Sequence, residues 1–525
     1  MDTKRLTTPI GSAQLSGSLA AALLVVLALL MPAGCASPWP AAVEKGLDMA
    51  GDNRHSLEKA LMHYKEQGDN LKLEATQFLI ANMEGHGFVL AAFFNKEHEE
   101  IPFNALDYDN FKEAQAAMDA LEVEHGKIDY ALKRSDRDIK TITASYLIEN
   151  VDLAFKAWRE KPWATAISFE VFCEQILPYR GSNEPLNSFR QACLDRHSDL
   201  PGKLEDPTDV REAGRLIQQD VHRWVRFSTL FYLHPTDQSF EEMDARRVGR
   251  REDISNMMSY AMRANAVPAA SDYTPHWADR DNNHAWEVIL DADGRGRAGL
   301  SNRAAKVYRK TFAIQHSNLA VIKREDEKVP RWLGGKSYAD VTAQYGDVSD
   351  VTVSLKNPPP RGTRFVYICV FNDGEWKAIH WGRITGNRVT FTDMGRNIAY
   401  LPAYFVDDRL EPAGPPLLLT ADGSVRTLGG ENADGALSFE ITATAPTTPD
   451  ADTRIDRPRI VVKPGKTYEL FHWREGWQSL GKRKAGDEPV SFDDVSSGRL
   501  YWLIDDDIRR LERIFTIEDG RQVWW

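Results

Sequence analysis

One stretch constrains the fold more than any other: residues 249–291, which read as a helix, a linker and a strand. Ile254, Met257, Met258, Ala261 and Met262 recur at the spacing that gathers apolar side chains on one helical face. Glu252 and Asp253 fall in the first turn, where the helix dipole favours acids. Val267-Pro268 closes the helix, because the residue before a proline is pushed out of the α region. A short apolar strand is expected over Ala285–Leu290, ended by the turn signal Asp291-Ala-Asp-Gly294.

A helix followed by a strand that opens Asn283-His284-Ala285-Trp286 resembles the core of the transglutaminase-like superfamily. The resemblance implies a papain-like α+β core, with a cysteine nucleophile at the helix start and a histidine on the strand. Bacterial members open this helix Gly-Arg-Cys-Glu-Asp, whereas here it opens Gly249-Arg250-Arg251-Glu252-Asp253. Arg251 therefore stands at the nucleophile position and His284 at that of the general base. Two further phrases, Phe78-Leu-Ile-Ala-Asn-Met83 and Phe172-Cys-Glu-Gln-Ile-Leu-Pro-Tyr-Arg180 with Glu184 following, resemble the same bacterial family.

A papain-like site needs a thiolate whose proton passes to an oriented imidazole. Guanidinium stays protonated and is no nucleophile. Facing His284, Arg251 would also disfavour the imidazolium. Ser255, one turn beyond Arg251, would approach His284 from the wrong height. The third member of the triad normally arrives on the next strand, yet no aspartate follows Asp293 until Asp326, and residues 301–312 read as helical. These features imply a pseudoenzyme, with His284 vestigial and Arg251 not catalytic. The old cleft, with Asn283, Trp286, Tyr273, Trp277 and Arg250 near it, would bind a peptide, glycopeptide or anionic group. The alternatives are an active amidase or cysteine peptidase with another nucleophile, and a surface protein that binds glycan through its C-terminal part.

Four arginines, Arg246, Arg247, Arg250 and Arg251, fall within six residues. They form either a solvated turn paired with Glu241, Glu242, Asp244, Glu252 and Asp253 or an anion pocket at a helix N-terminus. Gly294-Arg-Gly-Arg-Ala-Gly299 matches the dinucleotide fingerprint formally, but without a parallel βαβ context it reads as a glycine-rich turn.

Residues 1–34 have the layout of an export signal: Lys4 and Arg5, an apolar run from Leu19 to Met31, then Pro32-Ala33-Gly34-Cys35. The small residues before Cys35 resemble a bacterial lipobox. That implies a protein lipidated at Cys35 and anchored to the cell envelope, with Ser37 favouring the outer membrane in a Gram-negative cell; the alternative is plain secretion with Cys35 free. Removing residues 1–34 takes the formal net charge from −12 to −13, which argues against nucleic acid as a partner. The remaining cysteines, Cys173, Cys193 and Cys369, lack zinc-site spacing, so neither a metal nor a cofactor is expected. Cys173 and Cys193 are the only nearby pair in a compartment that permits disulfides, and the setting of Cys173 among Phe169, Phe172, Ile176 and Leu177 points to a buried thiol.

The expected organisation runs from the signal (1–34) through a helical N-terminal region (35–195) and a transglutaminase-like core (196–345) to two β-sandwich-like repeats (346–440 and 441–525). Residues 41 to about 230 read as helices, with Glu122 to Lys140 as solvated helix surface. The repeat is carried by Tyr367, Trp376, Phe391, Asp393 and Tyr400, which recur as Tyr468, Trp477, Phe492, Asp494 and Tyr501 at a constant offset of 101. Leu419-Thr-Ala-Asp-Gly423 matches Phe515-Thr-Ile-Glu-Asp-Gly520 with a small length change, and Thr444 to Asp456 reads as the linker. Trp473, Trp477, Trp502, Trp524 and Trp525 crowd the second copy, either filling thin sandwich cores or stacking on sugars.

Overall fold

The computed structural model of the chain describes residues 37–300, 302–428, 437–448, 457–486, 489–505 and 511–525. The export signal and Cys35 lie outside the described residues. The fold is mixed α+β, with helices concentrated in the N-terminal half and an antiparallel, strand-rich C-terminal region.

The N-terminal half opens with helices α1 (Ala41–Ala50), α2 (Arg54–Gln67) and α3 (Asn70–Asn82). The chain then departs from the expected run of helices. Strands β1 (Gly87–Phe94) and β2 (Glu100–Ile101), helix α4 (Phe111–His125) and strand β3 (Asp129–Arg137) form a small sheet of order β2-β1-β3. The stretch from Glu122 to Lys140 is therefore helix as far as His125 and again from Asp138, and its centre is a strand. Only one position of β3 escapes full exposure, so it carries no alternating apolar signal to mark it as a strand. Pairing with the apolar β1 decides its conformation. Helices α5 (Ala144–Glu160) and α6 (Val210–Trp224) follow, both with strongly amphipathic faces turned to the main core.

Helix α7 (Arg251–Ala264) is the centre of this core. Eleven of its fourteen residues are buried, more than the apolar stripe requires, so its buried polar side chains need partners. Asp253 accepts hydrogen bonds from the backbone of Arg250 (2.9 Å) and Gln238 (3.0 Å), closing the N-terminus. Arg263 donates to the carbonyl of Arg180 (2.6 Å), and Tyr260 to Glu184, whose carboxylate also accepts from the amides of Gly181 (2.8 Å) and Ser182 (2.7 Å). Arg180 in turn pairs with buried Asp138 (Nε to Oδ2, 2.8 Å). Arg180 and Glu184 are thus structural members of the network around α7.

After α7 come strands β4 (Ala269–Thr274), β5 (His284–Ile289), β6 (Tyr308–Lys310) and β7 (Tyr338–Asp340), antiparallel in the order β5-β4-β6-β7. Strand β5 starts one residue earlier than expected, at His284. The helix expected over 301–312 is absent among its described residues, and β6 stands there instead. Arg309 explains why: its guanidinium pairs with buried Asp272 on β4 (2.8 Å), a cross-strand contact stronger than any local preference. The same guanidinium donates to the carbonyls of Gly294 (3.1 Å) and Gly296 (2.9 Å), fixing the glycine-rich segment as a loop.

The C-terminal region contains strands β8 (Val348–Ser354), β9 (Phe365–Asn372), β10 (Glu375–Arg383), β11 (Arg388–Gly395), β12 (Ile398–Val406), β13 (Leu417–Leu419) and β14 (Val425–Thr427). It continues with β15 (Leu437–Ile441), β16 (Thr467–Trp473), β17 (Trp477–Lys484), β18 (Val490–Val495), β19 (Tyr501–Asp505), β20 (Ile514–Glu518) and β21 (Arg521–Trp524). One sheet runs β10-β9-β12-β13-β14 and another runs β17-β16-β19-β20-β21; β8 pairs with β11 and β15 with β18. Asp393 and Asp494 both adopt positive φ, 50° and 61°. Tyr400 and Tyr501 each donate to the carbonyl five residues earlier, Gly395 (2.7 Å) and Ser496 (3.0 Å). Strand β15 crosses the expected boundary at 440 and pairs with residues of the second expected copy. Trp524 packs on Phe515 in the second sheet (5.1 Å), but the other four tryptophans share one core that spans both sheets. Trp473 packs on Trp376 (5.7 Å between ring centroids), and Trp477 and Trp502 pack on Phe371 (5.8 and 5.2 Å), so the rings join the two sheets.

Candidate functional site

A cleft of about 1380 Å³ opens over the end of the β5-β4-β6-β7 sheet. Three walls from distant parts of the chain enclose it. The first is the paired strands β1 and β3, through Gly87, Val89, Ser135 and Arg137; the second is the sheet with residues 330–338; the third is Lys377, Ala378, Phe405 and Leu410 from the strand-rich region. Tyr273, Trp332 and Tyr338 supply aromatic surface, and Tyr308, behind them, packs on Trp332 (5.0 Å) and Tyr338 (5.1 Å).

Among the residues singled out from the sequence, Tyr273, Asn283 and His284 line this cleft. Trp277 and Trp286 do not: they stack with the His284 ring at 6.0 and 5.4 Å, and Trp277 is buried. Trp286 donates to the Tyr345 hydroxyl (2.9 Å), which donates to Asp272 (2.7 Å). Arg250 is held away from the cleft by an ion pair with Asp237, and its Nε lies 3.5 Å from Glu252. Arg251 is exposed, its guanidinium 5.5 Å from the ring centre of Phe227. Of the four clustered arginines, none lines the cleft.

The relation of Arg251 to His284 follows from strand parity. Side chains alternate between faces along a strand, and the hydrogen bond from Ser259 of α7 to Glu287 (3.1 Å) puts Glu287 on the helix side of β5. His284 and Trp286 belong to the other face, as their stacking shows. The imidazole is thus turned from α7, the helix that opens with Arg251. The three described cysteines are free thiols, all buried, and none lines the cleft. Burial pushes each thiol's pKa well up, opposite to what a reactive cysteine needs.

The electrostatics of the cleft come from residues that the sequence does not group. Arg137, Lys310, Arg331, Lys336 and Lys377 line it, against a single carboxylate, Glu84. Lys336 bonds Glu84 at 2.6 Å and holds its pKa below the usual carboxylate range, with Lys45 assisting from 3.6 Å. Lys377 is paired with Glu375, just outside the lining. Burial pushes the His276 imidazole down to about 4, helped by Lys377, so it is neutral at physiological pH. Beneath the floor, burial raises Glu287 to about 7 against the opposing pull of Arg263 and Lys310. Among the described residues, no three His, Cys, Asp or Glu side chains gather as a metal-ligand set, and no helix is long and apolar enough to cross a membrane.

The sequence matches no protein-family model and no curated protein.

Proposed function

We propose that the chain is a lipid-anchored, exported protein with a transglutaminase-like core retained as a scaffold, and that it binds the carboxylates of an acidic peptide or glycopeptide without cleaving it. The observation that carries this reading is the balance of five cationic side chains to one carboxylate around the cleft, in a chain whose formal net charge is −12. A local potential opposite in sign to the whole protein concentrates anions at that place. The aromatic wall of Tyr273, Trp332 and Tyr338 supports a ligand that carries apolar or sugar surface beside its charge. Against amide chemistry stand the exposed Arg251, the His284 ring on the face away from α7 and the three buried thiols. The C-terminal strands are read here as two copies of one β unit, packed together through their tryptophans.

The test uses acetyl-triglutamate and acetyl-trialanine as probes, with affinity measured by calorimetry at low and high salt. The acidic peptide binds, weakens as salt rises, and loses about tenfold in affinity in Lys310→Glu; the neutral peptide does not bind. Equal affinity for the two peptides, or release of an amine from either, overturns the proposal.

A further inference from the structure

The cleft continues onto the paired strands β1 and β3. Residues paired across an antiparallel ladder share a face. Gly87 pairs with Arg137 and Val89 with Ser135, and these four line the cleft. The register then shifts past Lys133, so that Ala91 pairs with Leu132 and Phe93 with Tyr130. The face that bears Arg137 and Ser135 therefore runs on to Leu132 and Tyr130. Both are large apolar side chains left open to solvent, at 62% and 67% exposure.

This small sheet has one closed edge and one open edge. Besides β2, the inner edge of β1 is covered where the Val89 amide donates to the Asn183 carbonyl (3.0 Å) and the Ala91 amide to the Thr236 hydroxyl (3.1 Å). Strand β3 ends the sheet, and among the described residues no further strand pairs with its outer side. Nine residues of open strand edge are a template for another strand, which proteins usually guard with charge or cover. Here two guarding charges are turned to local partners, Lys133 to Glu100 (2.6 Å) and Arg134 to Asp136.

We propose that β3 takes up an extended segment of a second polypeptide as an added strand. Its apolar side chains would lie on Leu132 and Tyr130, and an acidic residue further along would reach Arg137 and the cationic cleft. This deepens, and rests on, the carboxylate-binding reading of the cleft. Main-chain hydrogen bonds to the open edge supply affinity, while the Leu132–Tyr130 strip and the cleft supply selectivity for an apolar–acidic order.

The experiment uses the full chain with two probes: acetyl-triglutamate, and an eleven-residue peptide of alternating Val and Thr that ends in three Glu. The long peptide binds about tenfold or more tighter than triglutamate and slows amide exchange over residues 129–137. N-methylating one alternate set of its residues costs about tenfold or more and the other set little, because only every second amide of an added strand faces its neighbour. Leu132→Ser weakens the long peptide and leaves triglutamate unchanged; the position is exposed, so the variant folds. If triglutamate binds but the long peptide is no tighter, or the two N-methylated sets are equal, or residues 129–137 stay unprotected, strand addition is wrong and the cleft reading stands. If triglutamate itself fails to bind, both fall together.

Discussion

Glu287 gives the sharpest quantitative test of the core. It sits opposite Ser271 on β4, accepts a hydrogen bond from Ser259, and keeps only a narrow accessible edge although protein surrounds it. Burial raises its pKa to about 7; Arg263, Lys310 and the Ser259 bond pull it down, and Asp272 pushes it up. A folded-state value above the ordinary one near 4.5 means that the folded protein holds this proton more tightly than the unfolded chain. The contribution to stability is therefore complete below pH 4.5 and is lost as pH rises through about 7. At about 1.36 kcal/mol per pH unit that gap amounts to roughly 3 kcal/mol, and the accessible edge reduces it to about 2 kcal/mol. Glu287→Gln mimics the protonated acid and keeps an acceptor for Ser259. It should match the parent at pH 4, below the unfolded value, and melt about 2–4 °C higher at pH 8. Glu174 and Glu512, also raised to about 7 by burial, act equally in both proteins, so the difference between the two melting curves isolates Glu287. Near-UV circular dichroism at matched ionic strength reads it. A difference that is the same at both pH values, or a variant less stable at pH 8, refutes the reasoning.

Three further outcomes are expected. Native protein should leave Cys173, Cys193 and Cys369 unlabelled by a thiol reagent that modifies them readily after unfolding, and rapid native labelling of any one of them would revive thiol catalysis. Arg251→Cys should place a reactive thiol at an exposed helix start yet give no amide hydrolysis, because the His284 ring is on the far face of β5; turnover that disappears on further His284→Ala would contradict this placement. Trp502→Ala should cost roughly 3–5 kcal/mol, since it removes the ring packed on Phe371, Phe471 and Trp477, and a loss below about 1 kcal/mol would show that the two sheets do not depend on this junction.

What could be read in the sequence was what repeats with a structural period. Helix α7 and strand β5 were legible because their apolar residues follow the helical and strand patterns. Strand β3 was not legible, since exposure along nearly its whole length leaves no alternation to detect. Segment 301–312 misled because residues such as Ala304, Ala305 and Lys306 suit a helix, while the ion pair of Arg309 with Asp272 and the bonds of buried Lys306 to Asp340, Thr392 and Asp393 decide its conformation from a distance. The cleft was hidden for a related reason. Its cations are scattered from Arg137 to Lys377, whereas the arginines adjacent in sequence, Arg246 to Arg251, lie elsewhere. Proximity in sequence did not mark the cleft, which is assembled by proximity in space.

The way the cleft is assembled also gives the C-terminal strands a role that needs no ligand of their own. Residues 275–283, which lead into His284 and carry Asn283, contain buried Asp279, Arg280 and Asp281 and a positive φ at Asn282. Such a segment does not hold its shape by local preference. The side-chain amide of Asn372, at the end of β9, lies 3.0 Å from the carbonyls of Trp277, Arg280 and Asn282. Arg513, just before β20, donates to the Ala278 carbonyl (2.5 Å) and stands 3.6 Å from Asp281. Both β sheets thus clamp the segment that forms one lip of the cleft, and the tryptophans that join the sheets keep the two clamps in register. None of these clamping contacts involves Arg251, which lies exposed beside Phe227.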